Sequence, residues 1–176
     1  MIITTSRLEL IALSLAMAQV PVTDKAALAT MVDGTVAEQW PPEQMDEDAQ
    51  RWLTEQLTVD PDQEEWLLWY LVHTEGTERR LIGTVGFKGR PDADGTVELG
   101  YSVVPAYQRQ GLATEAVLDL IDWALADRTV KRIVAETYPH LTPSIRVMEK
   151  CGMTLLGPGS APGTVRYGYD RIGCCA

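Results

Sequence analysis

A short polar turn between an apolar run and an amphipathic helix is where this sequence could do chemistry. The stretch VVPAYQRQGLATEA runs from Val103 to Ala116 and places small residues at Gly111 and Ala113. A helix N-terminus leaves backbone N–H groups without intrahelical partners, and small residues let a ligand approach them closely. Because these groups lie at the positive end of the helix dipole, such a turn binds anions, particularly phosphate or pyrophosphate. On these residues alone, a glycine that merely eases a tight strand–helix junction explains the turn equally well.

Glu98 is the second candidate, because it lies within the otherwise apolar, strand-like run TVELGYSVV. A carboxylate is expensive to bury unless it has a partner, and partial burial favours its protonated form. That environment suits a general base that takes a proton, directly or through a water. Residue alternation leaves the face of Glu98 open, so a solvated, outward-facing glutamate is the alternative. Glu136, Asp33 and Glu38 are weaker candidates for the same role.

Other common site patterns are missing from the sequence. Neither the P-loop pattern GxxxxGK[ST] nor the dinucleotide pattern GxGxxG occurs. The cysteines and histidines form no CxxC pair and no zinc-ligand spacing, so we expect neither a metal site nor a disulfide framework. These residues are Cys151, Cys174, Cys175, His73 and His140.

Composition and charge narrow the classes of partner. Hydrophobic residues make up 45% and charged residues 23% of the 176 residues, which is typical of a globular protein. The net charge of −10 disfavours nucleic acid and favours a cationic acceptor, so an anionic ligand must be held by local groups such as backbone amides. With no run of about 18 apolar residues and no signal-peptide pattern at the start, we expect a cytoplasmic protein that does not span a membrane.

Hydrophobic periodicity predicts the elements that position these residues. Short turn-like separators between the first strands favour antiparallel neighbours, and strand–helix–strand crossovers follow them. The result is a mixed α/β (α+β) fold in a single domain over 1–172, with a loose tail at 173–176. Helices are predicted over 17–31, 46–59, 112–125 and 143–152, an edge strand over 7–13, and further strands over 66–74, 80–89, 96–104, 132–138, 153–157 and 165–171.

Four motifs in order resemble the GNAT acetyltransferase superfamily over nearly the whole chain. QRQGLA, from Gln108 to Ala113, resembles its acyl-CoA pyrophosphate loop, Q/R-x-x-G-x-G/A. The surrounding VELGYSVVPAYQRQGLATEAV is similar to the ribosomal-protein N-terminal acetyltransferase branch, with E-x-G-Y before the loop and T/S-E-A after it. TSRLEL resembles that branch's opening T-x-R-L-x-L, and PSIRVMEKCGM resembles its later helix, N-x-x-S-x-x-x-x-E-K-x-G-F. Two positions depart from the pattern: Leu141 replaces the asparagine and Met153 the final phenylalanine.

The resemblance implies the GNAT fold, a central, largely antiparallel mixed sheet flanked by helices, with acyl-CoA in a splay between central strands. It implies acetyl-CoA as co-substrate, with backbone amides of the loop on its pyrophosphate and the end of the preceding strand, Val103 and Val104, pairing with its pantetheine arm. Arg109 would add charge, and Thr114 its hydroxyl. The implied amide donors are Gln110, Gly111, Leu112, Ala113 and Thr114.

The resemblance also implies direct attack of an amine on the thioester, without an acyl-enzyme. Ser144 matches the family serine near the acetyl sulfur and would hydrogen-bond or protonate the departing thiolate, while capping of its own helix is the alternative. Tyr138 is the alternative acid, and Glu98 the base. We therefore expect an N-acetyltransferase acting on a primary amine, either a protein N-terminus or a small amine. A non-catalytic acyl-CoA sensor on the same fold and an unrelated α/β binding domain are the alternatives, and exposed strand edges allow a homodimer.

Overall fold

One mixed sheet organises the chain in the computed structural model, which describes residues 1–171. The strands are β1 Ile2–Thr4, β2 Leu8–Ala12, β3 Thr35–Val36, β4 Leu68–Glu75, β5 Glu78–Phe87, β6 Thr96–Val103, β7 Arg132–Thr137, β8 Thr154–Pro158 and β9 Val165–Asp170. The strand order is β1-β2-β4-β5-β6-β7-β9-β8, with β3 pairing in parallel with the start of β5. Most neighbours are antiparallel, and β6 and β7 are parallel. The expected tail at 173–176 lies outside the described residues.

The helices cover both faces of this sheet. They are α1 Leu15–Ala18, α2 Lys25–Met31, α3 Glu47–Val59, α4 Leu112–Ala126 and α5 Thr142–Lys150. Alternate residues of β4 enter two separate apolar cores: Trp69 and Leu71 join the core that contains α4, whereas Tyr70 and Val72 join the core of α2 and α3. Because successive side chains of a strand point to opposite faces, the two cores lie on opposite sides of the sheet.

The sheet opens between β6 and β7. These parallel strands pair only at their first residues, where Glu98 opposite Val134 is the last pair. Beyond that point β6 stays paired with β5 as far as Val103, and β7 stays paired with β9 as far as Thr137. The expected splay between central strands is therefore confirmed as a gap that is closed at Glu98 and open at the start of α4.

Two predictions about the N-terminal half are wrong. The helix predicted over 17–31 is two helices, because Pro21 interrupts the helical ladder and the Asp24 side chain starts α2 afresh by accepting from Ala27 N at 3.0 Å. The strand predicted over 7–13 is not an edge strand, because Ile2–Thr4 pairs with β2 on its outer side. The two-residue strand β3 was not predicted, since so short a run carries no periodicity.

Candidate active site

The turn before α4 presents a row of unpaired backbone amides. Arg109 and Gly111 both have positive φ, 61° and 81°, a conformation that is uncommon for a non-glycine residue and frequent at functional sites. Gly111 is the N-cap of α4 and provides no side-chain cap, and Glu115 is the first helical residue whose N–H bonds back, to Gly111 O at 3.0 Å. The N–H groups that come just before Glu115 have no acceptor among residues 1–171, and we call this set the amide cradle. It consists of the N–H groups of Gln110, Gly111, Leu112, Ala113 and Thr114.

Three N-terminal segments hold this turn in place. Arg7 Nη1 donates to Gln110 O at 2.9 Å, and Ala106 N donates to Gln39 Oε1 at 2.8 Å. Arg80 Nη1 donates to Tyr107 Oη at 2.9 Å. Sequence reasoning gave Arg7, Gln39 and Arg80 no role, although Arg7 lies within the quoted TSRLEL motif. An open cleft of about 1030 Å³ borders the outer side of the turn, so solvent and ligands reach the turn from there.

Glu115, in the first turn of α4, joins the cradle to the corner between β1 and β2. Its carboxylate accepts hydrogen bonds from Thr5 Oγ1 at 2.6 Å, Ser6 Oγ at 2.8 Å and Arg7 Nε at 2.8 Å. Burial raises the pKa of Glu115, but these hydrogen bonds outweigh burial and lower the pKa to about 2. Glu115 is therefore a fully ionised anchor, and the motif fragments TSRL and TEA meet in space.

The edge of β6 that faces the gap carries free backbone groups. Lys88 N donates to Glu98 O, and Val104 N donates to Ile82 O, both at 2.9 Å, so the backbone of even-numbered residues bonds to β5. Because hydrogen-bonding direction alternates along a strand, the backbone groups of odd-numbered residues point into the gap. Val103 belongs to this second set, whereas the structure does not bring the Val104 N–H to the gap.

Gln108 covers part of that edge. Its Nε2 donates to Val103 O at 2.8 Å, which is where an amide of a bound ligand would donate to a free strand edge. Arg109, by contrast, is exposed and forms no ion pair within the described part of the chain. The charge expected from Arg109 thus stands at the mouth of the gap, in solvent.

Glu98 lies at the closed end of the gap, on the sheet face opposite α4. Its neighbours Val97 and Leu99 both join the α4 core, so the intervening side chain points to the other face. The Glu98 side chain is 22% exposed, and its carboxylate is paired with Lys88 Nζ. The sequence left the face of Glu98 open, and the structure places Glu98 on the face opposite α4, half-buried with a cationic partner.

Glu136, a weaker candidate for the base, is a structural carboxylate. It accepts from Ser160 N at 2.9 Å, Thr164 Oγ1 at 3.2 Å and Arg166 Nε at 2.7 Å. Burial raises the pKa of Glu136, but the hydrogen bonds from Ser160, Arg166 and Thr164 lower it to about 2. A carboxylate with so low a pKa and so many donors is a poor base at neutral pH.

Ser144 meets a tyrosine across the gap, but not the expected one. Tyr101 on β6 places its Oη 3.1 Å from Ser144 Oγ and donates to Ser144 O at 2.8 Å. Burial raises the pKa of Tyr101 to about 12, so its phenol is neutral at physiological pH. Tyr138 is 47% exposed and stacks on His140 instead. Tyr101 is the fourth residue of the quoted E-x-G-Y motif, and that pattern was the signal that could have found it.

The alternative of Ser144 as a helix cap is wrong. The N-cap of α5 is Leu141, which makes no side-chain cap, and Ser144 is the third residue inside the helix. Its hydroxyl is therefore free to contact Tyr101 across the gap.

Within 1–171, no group of three or more His, Cys, Asp or Glu side chains lies close enough together to hold a metal ion. Across the same residues, every helix is too short or too polar to cross a membrane.

A comparison with protein-family models identifies the family of this chain. The model for the acetyltransferase (GNAT) domain matches residues 15–154, which is more than half of the chain and includes the amide cradle, the gap and Ser144. The chain belongs to the GNAT acetyltransferase family. The resemblance drawn from the four motifs is thereby confirmed, as is the expected fold of a largely antiparallel mixed sheet flanked by helices.

Curated relatives match part of this GNAT chain. The N-acetyltransferase YjdG of Bacillus subtilis, described as uncharacterized, is 36% identical over 87 residues, which are 49% of this chain and 51% of YjdG. The probable N-acetyltransferase YjcK of the same organism is 38% identical over 77 residues, 43% of this chain and 42% of YjcK. The chain thus spans about half the length of the curated relatives it matches.

Solved structures match the fold along nearly its whole length. The ribosomal-protein-S5-alanine acetyltransferase of Vibrio fischeri has a TM-score of 0.68 at 18% identity, covering 98% of both chains. The microcin C7 self-immunity acetyltransferase MccE, solved with acetyl-CoA and AMP, has a TM-score of 0.66 at 20% identity, covering 94% of this chain and 93% of MccE.

Proposed function

We propose that this protein is an acetyl-CoA-dependent N-acetyltransferase that acetylates a primary amine. The observation that carries the proposal is the amide cradle at the open mouth of the β6–β7 gap. Consecutive unpaired N–H groups at a helix N-terminus suit a pyrophosphate, even in a chain with a net charge of −10. The gap beside them offers the backbone N–H of Val103 to a carbonyl of a pantetheine arm, and an amide of that arm would replace Gln108 Nε2 as the donor to Val103 O. Acetyl-CoA therefore fits the residues present.

The proposed reaction is direct transfer in a ternary complex. The amine nitrogen bonds to the acetyl carbonyl carbon as the carbon–sulfur bond breaks, and CoA leaves as a thiolate that takes up a proton. Glu98, at the closed end of the gap, takes the proton of the acceptor ammonium. In the structure Glu98 pairs with the primary ammonium group of Lys88, and an acceptor amine would carry the same kind of group to Glu98. Ser144 and Tyr101 supply hydroxyls across the gap for the departing sulfur, and Tyr138 stays a weaker candidate for that acid.

The acceptor is proposed only as a class. The negative net charge favours a cationic amine, such as a protein N-terminus or a small polyamine-like compound. We include a protein N-terminus in that class because the solved structures with this fold include ribosomal-protein acetyltransferases. A cytoplasmic location and pairing of two copies through a sheet edge stay predictions.

Calorimetry and turnover of Glu98→Gln test the proposal together. Acetyl-CoA and CoA should bind in the micromolar range, and both affinities should survive the substitution. Turnover with a panel of primary amines should fall about hundredfold or more, because general-base catalysis contributes about 10²–10⁴-fold. Glu149→Gln, at an exposed position on α5, is the matched control and should keep both properties.

Three outcomes would change the conclusion. CoA binding without transfer to any amine of the panel would favour the sensor on the same fold. Absence of CoA binding would reject the acetyltransferase altogether. Full activity in Glu98→Gln would remove Glu98 from the mechanism.

A further inference from the structure

We infer that Arg7 is a positioning residue for the co-substrate: it orients the peptide between Gln110 and Gly111 so that the Gly111 N–H points into the amide cradle. The inference rests on the proposed function, because it concerns the same cradle. It adds a residue from the start of the chain to a site whose main parts lie on β6, α4 and α5.

The orientation follows from peptide geometry. Arg7 Nη1 donates to Gln110 O at 2.9 Å. In a planar trans peptide the carbonyl oxygen and the following N–H point in opposite directions. A carbonyl drawn toward Arg7 therefore turns the Gly111 N–H away from Arg7. The guanidinium also covers that side of Gly111, since a Cβ built there would lie 3.5 Å from Arg7 Nη2.

The orientation of this peptide needs a constraint because the residue that follows it is a glycine. Gly111 sits at φ 81°, and glycine adopts positive and negative φ with similar ease, so the preceding peptide can rotate at little cost. A rotated peptide would present a carbonyl oxygen to the pyrophosphate instead of an N–H. A hydrogen bond from a charged donor shifts such an equilibrium by about tenfold or more.

Glu115 holds Arg7 itself in one position. Arg7 Nε donates to Glu115 Oε2 at 2.8 Å, and Nη2 lies 2.7 Å from the same oxygen. The backbone N of Arg7 donates to Glu115 Oε1 at 2.8 Å, so the residue is fixed at both ends. The planar guanidinium then spans a carboxylate on α4 and a carbonyl of the turn, which a lysine ammonium could not do in the same way.

Calorimetry with CoA on the full chain tests the role. Arg7→Met should raise the dissociation constant about tenfold. Arg7→Lys should recover part of that loss, because its ammonium can reach one of the two acceptors. Glu9→Gln is the matched control: Glu9 on β2 holds Arg79 at 2.6 Å without touching the turn, so its loss should leave CoA affinity unchanged.

Glu115→Gln separates orientation from direct attraction. This substitution removes a negative charge near the cradle. If Arg7 acted by direct attraction of CoA, the variant would therefore bind CoA more tightly. If Arg7 acts by positioning the peptide, it loses its anchor in this variant, and CoA should bind about threefold to tenfold more weakly. In the ligand-free protein, Arg7→Met should also shift the ¹⁵N–¹H signal of Gly111 while the signals of the last turns of α4 stay in place.

The inference is overturned if Arg7→Met binds CoA like the unaltered chain, if Glu115→Gln binds it more tightly, or if the Gly111 signal does not move. Weak binding in Glu9→Gln would also overturn it, because loss of an ion pair that does not touch the turn would then have the same effect. A chain that binds no CoA before substitution would instead reject the proposed function, and the two failures are thereby distinguished.

Discussion

Replacement of Glu136 by glutamine should cost stability in a pH-dependent way. The Glu136 side chain is only 8% exposed and pairs with Arg166 Nη2 at 2.7 Å, besides its bonds to Ser160 and Thr164. Its pKa is lowered from 4.5 to about 2 in the folded chain. At 1.36 kcal/mol per pH unit, this difference corresponds to about 3 kcal/mol of stability at neutral pH.

The sign follows from proton binding. Between a pH of about 4.5 and about 2 the unfolded chain binds more protons at this residue than the folded chain does. The contribution of Glu136 is thus complete above the upper value and is lost as pH falls toward the lower one. Glutamine resembles the protonated acid, so the difference between the two proteins should shrink to less than half at a pH of about 3.

Urea unfolding followed by circular dichroism, at a series of pH values, measures this difference. Glu149→Gln removes an exposed carboxylate on α5 and should leave the free energy of unfolding nearly unchanged at every pH. Taking differences between proteins cancels the titration of Glu115 and other carboxylates. A difference between Glu136→Gln and the unaltered chain that stays constant from neutral to strongly acidic pH would refute the assignment of Glu136 as a structural anchor.

Two further predictions concern α5. Leu141→Asn should stabilise the chain by about 1 kcal/mol, because Leu141 is an N-cap without a side-chain bond; thermal unfolding should show a higher midpoint, and an unchanged or lower one would contradict it. Burial raises the pKa of the Cys151 thiol to about 11, so in a Cys174→Ser, Cys175→Ser background a thiol reagent at neutral pH should label Cys151 only after urea is added. Rapid labelling of the folded chain would show that the thiol is accessible and ionised.

The regular elements around the site could be predicted because their patterns are local. The run from Leu112 to Leu125 repeats at helical spacing, and α4 spans Leu112–Ala126. The strand predicted over 132–138 is β7, Arg132–Thr137. Both depend on side chains that alternate between core and solvent, a signal that each segment carries by itself.

The site could be predicted only as far as its motifs reach. Gly111 and the amides after it follow from the loop sequence, and Glu98 follows from a charge within an apolar strand. The contacts of Arg7 with Gln110, and of Tyr101 with Ser144, join residues that are 103 and 43 positions apart. No local pattern encodes such pairs, because they depend on how the sheet brings its strands and loops together.

Two long-range contacts give the ordered motifs a physical meaning. The opening TSRL meets TEA through Arg7 and Glu115, and ELGY meets the PSIR segment through Tyr101 and Ser144. The first pair lies at the open mouth of the gap, beside the amide cradle, and the second bridges the gap itself. Two contacts thus join four segments that are far apart in the sequence at one site. The first holds the turn that would bind a pyrophosphate, and the second joins the strands that would enclose a thioester.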